Sequence, residues 1–154
     1  MREIRSAVAV VEDRSRRGPG RLQGTIVPFG AVASDRREVF RPDSITMPAN
    51  GIRLLLEHRG RQVDRVIPTV DARGVHVDHV LPDTEVGREA ARRVRAGELR
   101  GLSVEFTALR ETRTQGVREV VSAMVDAAAL VPEASYAPHT GVEVRRADDL
   151  EFWT

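Results

Sequence analysis

The chain has 154 residues, enough for one domain with a sizeable core. Its 24 basic and 23 acidic residues leave a formal net charge of +1, which lacks the electrostatic footprint of a nucleic-acid binder, so no DNA or RNA partner is expected. All the basic residues are arginine and cysteine is absent, which excludes Schiff-base lysines, the lysine of a phosphate-binding loop, thiol nucleophiles, disulfides and thiolate zinc sites.

In chain order, Ile4 to Val11 reads as an edge strand, and the Gly18-Pro19-Gly20 breaker then makes a loop, so residues 1–21 form an N-terminal edge strand and loop. Thr25, Ile26 and Val27 predict a strand from Leu22 to Phe29, bent or ended by Pro28 and Gly30. Arg36 to Phe40 reads as a short extended piece, and Pro42, Pro48, Asn50 and Gly51 as an irregular connection. Ile52 to Leu56 is an apolar run of strand length that stops at Glu57-His58-Arg59-Gly60. Val63 to Leu81 reads as a hairpin turning at Asp71 to Gly74. The period then changes: Val86, Ala90 and Val94 recur at i, i+4 and i+8, with Asp83 or Thr84 as cap and Gly97 as stop, which predicts one helix.

Next, Leu102, Val104, Phe106 and Ala108 alternate with Ser103, Glu105 and Thr107, the pattern of a half-buried strand on which Ser103 projects away from the apolar face. Gln115-Gly116 closes a hairpin into Val117 to Val125, and Ala127 to Val131 continues the apolar stretch to Pro132. The core domain is read as residues 22–145 and the charged tail, with the single Trp, as residues 146–154. The fold class expected is mainly β with one or a few helices, a β-rich α+β domain of six to eight strands closing as a small barrel or sandwich. No apolar run approaches the roughly 20 residues of a membrane span, so the chain is expected to be soluble and intracellular, with no membrane partner.

Nucleophilic chemistry needs a hydroxyl, a base within hydrogen-bond reach and a group that orients the base. Ser103, directly after a helix stop and at a strand start, is the candidate hydroxyl. His58, at the end of a buried strand, is the candidate base. His76 and His79 lie three apart on one alternating strand and point to opposite faces, which argues against a shared metal and reads as cross-strand or surface histidine. For the third group, Asp126 interrupts an apolar run where a lone carboxylate is costly unless paired, and Glu133 and His139 are its competitors.

With these residues in line, the sequence resembles the prohead proteases of tailed bacteriophages, serine peptidases of capsid maturation related to herpesvirus assemblins. Leu22 to Phe29 is similar to the family's opening strand, and Glu38-Val39-Phe40-Arg41-Pro42-Asp43-Ser44-Ile45 to its E-x-F-x-P-G-A-F segment. Leu54-Leu55-Leu56-Glu57-His58 follows, and Gly97-Glu98-Leu99-Arg100-Gly101-Leu102-Ser103-Val104-Glu105-Phe106 looks like the G-x-L-x-G-L-S-I/V-G-F block that carries the nucleophile. Leu130 to Tyr136 is similar to the closing stretch. Three departures stand out: Glu105 replaces a usual glycine, Asp43-Ser44 replaces Gly-Ala, and Ala127 to Ala129 stand where the family shows Glu-Val-Ser.

The resemblance implies an assemblin-like β-barrel or sandwich, Ser103 as nucleophile and His58 as base, with Asp126 one position before the family's Glu. It implies cleavage of the scaffolding portion of the major capsid protein, and of the protease itself, inside the immature prohead in the host cytoplasm. It also implies a homo-oligomer, a dimer, and no cofactor or metal. A scaffolding module that kept the fold and lost the chemistry is the alternative. An esterase of another fold fits less well, because Glu105 stands where Gly-x-Ser-x-Gly needs its last glycine.

Overall fold

The alternating and β-branched stretches become strands and the single 3.6-periodic stretch becomes a helix. The computed structural model describes residues 2–13, 19–33, 37–57, 60–133 and 144–146. Within them lie β1 (Arg2–Asp13), β2 (Arg21–Pro28), β3 (Glu38–Phe40), β4 (Ile45–Thr46), β5 (Ile52–Leu56), β6 (Gln62–Val66), β7 (Thr69–Asp71), β8 (Gly74–Val80), α1 (Glu85–Arg95), β9 (Gly101–Thr114), β10 (Val117–Val131) and β11 (Val144–Arg146). The β-rich class with one helix is as expected; the described residues form eleven strands rather than six to eight, with β1, β9 and β10 longer than the apolar runs suggest.

β10 is the spine. On one edge it pairs antiparallel with β9 along nearly its whole length, and on the other it takes β3, β4 and β5 in succession, all parallel. The β9–β10 hairpin turns where expected, with Gln115 and Gly116 at φ of 52° and 77°, the left-handed pair whose twist matches the flanking strands. β5 has strands on both edges, and Ile52, Leu54, Leu55 and Leu56 are buried with only Arg53 partly exposed among them. Side chains reinforce β3 beyond its ladder. Phe40 meets Phe106 edge to face with centroids 4.9 Å apart, and Glu38, wholly buried, accepts from Arg118 at 2.9 Å.

Two expectations are corrected. β1 is not an edge strand: it pairs with β9 on one side, β2 on the other, and β11 in parallel near its end. Edge status depends on partners remote in the chain, so the local pattern of residues 4–11 carried no information about it. The hairpin expected over Val63 to Leu81 is split at Ile67-Pro68, because proline offers no N–H to a ladder. β6 consequently pairs with β5, and only β7 and β8 form the hairpin.

The backbone ladder runs β6-β5-β10-β9-β1-β2-β8-β7. Its two ends are joined by side chains: His79 Nε2 on β8 donates to Asp64 Oδ2 on β6 at 2.7 Å. α1 packs on β1 and β6 near this seam, capped by Thr84, whose Oγ1 accepts from the Gly87 N–H at 3.0 Å. Gly97 at φ 76° ends the helical turn region as predicted. No helix among the described residues is long and apolar enough to cross a membrane.

At the seam, partial burial pushes the Asp64 carboxyl up. The hydrogen bond from His79, the Arg65 N–H and the nearby imidazole outweigh it and hold the carboxyl below its ordinary 3.8. A carboxyl more acidic in the folded chain stabilises fully above its unfolded value, and that contribution is lost as pH falls through the lower folded value. Asp64→Asn should therefore flatten the loss of stability below about pH 4 and cost at most about 1 kcal/mol at neutral pH, as befits a pair open to solvent. Urea denaturation between pH 2 and pH 7 reads this directly; an acid limb identical to wild type contradicts it.

Candidate active site

Ser103 sits at the start of β9, where the ladder is opened by the Arg100 N–H donating to the Val131 carbonyl at 2.9 Å. Register places it in a row across four strands: Leu55 on β5, Ala129 on β10, Ser103 on β9 and Ser6 on β1. Its face is not the half-solvated one the alternation predicted. Ser103 is 0% exposed and Glu105 only 3%, and the same side of the sheet carries a small apolar cluster of Leu55, Ala127, Ala129 and Val131. Among the described residues the Ser103 Oγ has no hydrogen-bond partner, although interior hydroxyls are normally satisfied. An unspent hydroxyl costs roughly 1–3 kcal/mol of desolvation, which apolar packing alone would have removed by choosing alanine.

His58 and His139 lie outside the described residues, so the separation between Ser103 and either ring is not defined. The chain on both sides of position 58 is closely held. Leu56 is one row beyond Leu55, paired with Leu130; the Glu57 N–H donates to the Leu130 carbonyl at 3.0 Å, and the Leu56 N–H to Arg61 at 2.9 Å. The Gly60 N–H donates to the Glu57 carbonyl at 3.1 Å, and a Cβ on Gly60 would lie 1.4 Å from the Leu56 carbonyl oxygen, so only glycine fits there. From α1, Arg93 reaches Glu57 at 3.5 Å. Helix and strand together hold this loop at the end of the sheet where β9 begins.

The carboxylates separate by position. Asp126 is a β-bulge residue: Val125 pairs with Phe106 and Ala127 with Glu105, leaving Asp126 between them with no opposite number. That explains how an acid interrupts so apolar a stretch. It also sets Asp126 three residues along β10 from Ala129, roughly 10 Å from the Ser103 row at strand rise. Glu133 lies exposed just past the end of β10. Glu105, noted in the sequence only as a departure, occupies Ser103's own face two residues on. The period-2 pattern was the signal that could have found it.

The remaining histidines are accounted for without catalysis. His79 closes the seam, and His76 Nδ1 lies 3.0 Å from Thr25 Oγ1 while its Nε2 donates to Asp71 at 2.9 Å. That carboxylate also accepts from the Arg73 and Gly74 N–H groups, so it organises the β7–β8 turn. As predicted, the two rings serve different partners.

With this geometry in hand, comparison with known families decides the lineage: the sequence matches the model of the caudovirus prohead serine protease family over residues 10–136. The chain belongs to that family. No curated protein and no solved structure matches it. The matched residues run from the end of β1 to just past β10 and take in the whole of the sheet between them.

Removing the Ser103 hydroxyl should relieve the fold. Ser103→Ala is expected to raise stability by about 1 kcal/mol, or at minimum not lower it, in urea denaturation. A loss of more than 1 kcal/mol would mean that the hydroxyl has a structural partner.

Proposed function

We propose that this chain is the serine endopeptidase of phage prohead maturation, with Ser103 as nucleophile and His58 as general base. The observation that carries the reading is the buried Ser103 hydroxyl without a hydrogen bond, in the row that β5 and β10 extend toward the loop bearing position 58. Family membership supplies the reaction class, serine peptide hydrolysis.

In this mechanism the imidazole takes the proton from Ser103 Oγ as that oxygen attacks a peptide carbonyl. Backbone N–H groups steady the tetrahedral oxyanion, and the imidazole then returns the proton to the leaving amine. Water repeats the sequence and frees the acyl group. Because Ser103 is covered, acylation requires the layer above it to open. The substrates are the major capsid protein or its scaffolding segment and the protease itself, cleaved inside the immature prohead in the host. The working form is a dimer or a higher local assembly, with no cofactor.

A second reading, a structural module with impaired chemistry, draws on one observation: the β10 residues nearest Ser103 on its face, Ala127 and Ala129, are methyl groups that cannot orient a base. The two readings part in one experiment. Co-expression with the capsid protein should give a shortened capsid band, and Ser103→Ala or His58→Ala should each lower turnover by on the order of 10⁴. An unshortened band with a folded wild-type chain supports the structural module; cleavage that survives both substitutions removes Ser103 and His58 from the reaction.

A further inference from the structure

We propose that the open edge of β9 at its hairpin end pairs with the same edge of a second copy of this chain, joining two sheets into one. The proposal names a surface for the self-association put forward above. It does not depend on the hydrolytic chemistry, because its centre, Thr112, stands roughly 30 Å along β9 from Ser103 at strand rise.

The edge is open because the two neighbours of β9 end at different places. β10 accompanies β9 to the turn, but Thr107 is the last β9 residue that β1 pairs with. Among the described residues no strand lies on that edge from Ala108 to Thr114, and Leu109 to Thr114 are all exposed, Leu109 at 58%. The two-residue turn fixes which groups the edge presents. Thr114 and Val117 flank it as the hydrogen-bonded pair that closes the hairpin, so Thr114 and Thr112 turn their N–H and C=O groups toward β10. Glu111 and Arg113 turn theirs outward, where they form a template for another strand.

Charge selects the occupant and the register. Edge strands are ordinarily defended by charges that discourage pairing. This one carries both signs, in a self-complementary order. In a two-fold antiparallel pairing the central residue opposes its own copy, and its neighbours on either side oppose each other in exchange. Centring on Arg110, Glu111 or Arg113 sets identical charges against each other. Centring on Thr112 sets Glu111 of each copy against Arg113 of the other, Thr112 against Thr112 and Arg110 against Thr114. Opposite charges and paired threonines directly across a ladder are both favourable. The outward main-chain groups belong to Glu111 and Arg113, so each of those opposed pairs exchanges both of its backbone hydrogen bonds.

Arg113 gains most from the joint. Directly opposite it on β10 stands Arg118, a like charge on the same face. Glu38 and Glu111 meet the charge of Arg118, whereas Arg113 has no ion-pair partner among the described residues. In the paired form the Glu111 carboxylate lies between its own Arg118 and Arg113 of the other copy. A joint that runs only from Arg110 to Thr114 is small, so the association is weak and concentration-dependent.

The test is sedimentation equilibrium of the full chain over a concentration series reaching about 1 mM, with folding checked by urea denaturation. Wild type should form a dimer that weakens as salt is raised. Glu111→Arg sets arginine against Arg113, and Arg113→Glu sets glutamate against Glu111; each alone should lose self-association by on the order of tenfold or more. An equimolar mixture of the two variants opposes unlike charges at both positions and should associate to within about threefold of wild type. Should Glu111→Arg not fold, Arg113→Pro decides: it removes an outward N–H without touching the β9–β10 ladder and should lose association by a similar factor. A wild type that stays monomeric throughout the series, folded single variants that associate like wild type, a mixture no tighter than its components, or a folded Arg113→Pro chain with wild-type association each overturns the inference. So does a monomeric wild type that binds an extended capsid-protein peptide along this edge instead. All of these leave the assignment of Ser103 as it stands, and a wild type that dimerises but does not cleave the capsid protein removes the protease reading and keeps the joint.

Discussion

Everything at the candidate site depends on the continuity of β10. One strand sets two registers at once, antiparallel to β9 and parallel to β5, and a sheet register is quantised: a slip of one residue turns every side chain to the opposite face. The row Leu55–Ala129–Ser103 is therefore specified by backbone hydrogen bonds, and no side chain of the site has to hold it. β3 and β4 pair with the earlier part of the same strand, with Phe40 against Phe106 and the buried Glu38–Arg118 pair bracing the hairpin before it reaches the Ser103 row.

The site shows a division of labour between the two faces of β9. Leu102, Val104 and Phe106 enter the main core and provide the free energy of burial. Ser103 and Glu105 lie on the opposite face, where they are buried beside a small apolar cluster of Leu55, Ala127, Ala129 and Val131.

Much of this was legible wherever the decisive interaction is local. The β5 run, the Thr84 cap, the Gly97 stop and the Gln115-Gly116 turn are set by neighbours within a few residues, and they lie where the sequence placed them. What escaped is non-local. The interior position of β1, the parallel docking of β3 and β4, and the reassignment of β6 to β5 after Pro68 all depend on partners tens of residues away. For the site, alternation identified the face on which Ser103 lies but not that this face is covered, since a polar residue in a period-2 pattern ordinarily means solvent. Asp126 was picked because it broke an apolar run; the bulge, invisible in a single strand's pattern, is the physical reason the break is tolerated.

The interior place of β1 also bears on how the molecule comes into being. One of the neighbours of β1, the serine-bearing strand β9, follows it in the chain only after the helix, so Ser6 and Ser103 are paired across most of the sequence between them. Pairings so distant in sequence raise the contact order, and the row that holds Ser103 closes only once strands from both ends of that separation have met.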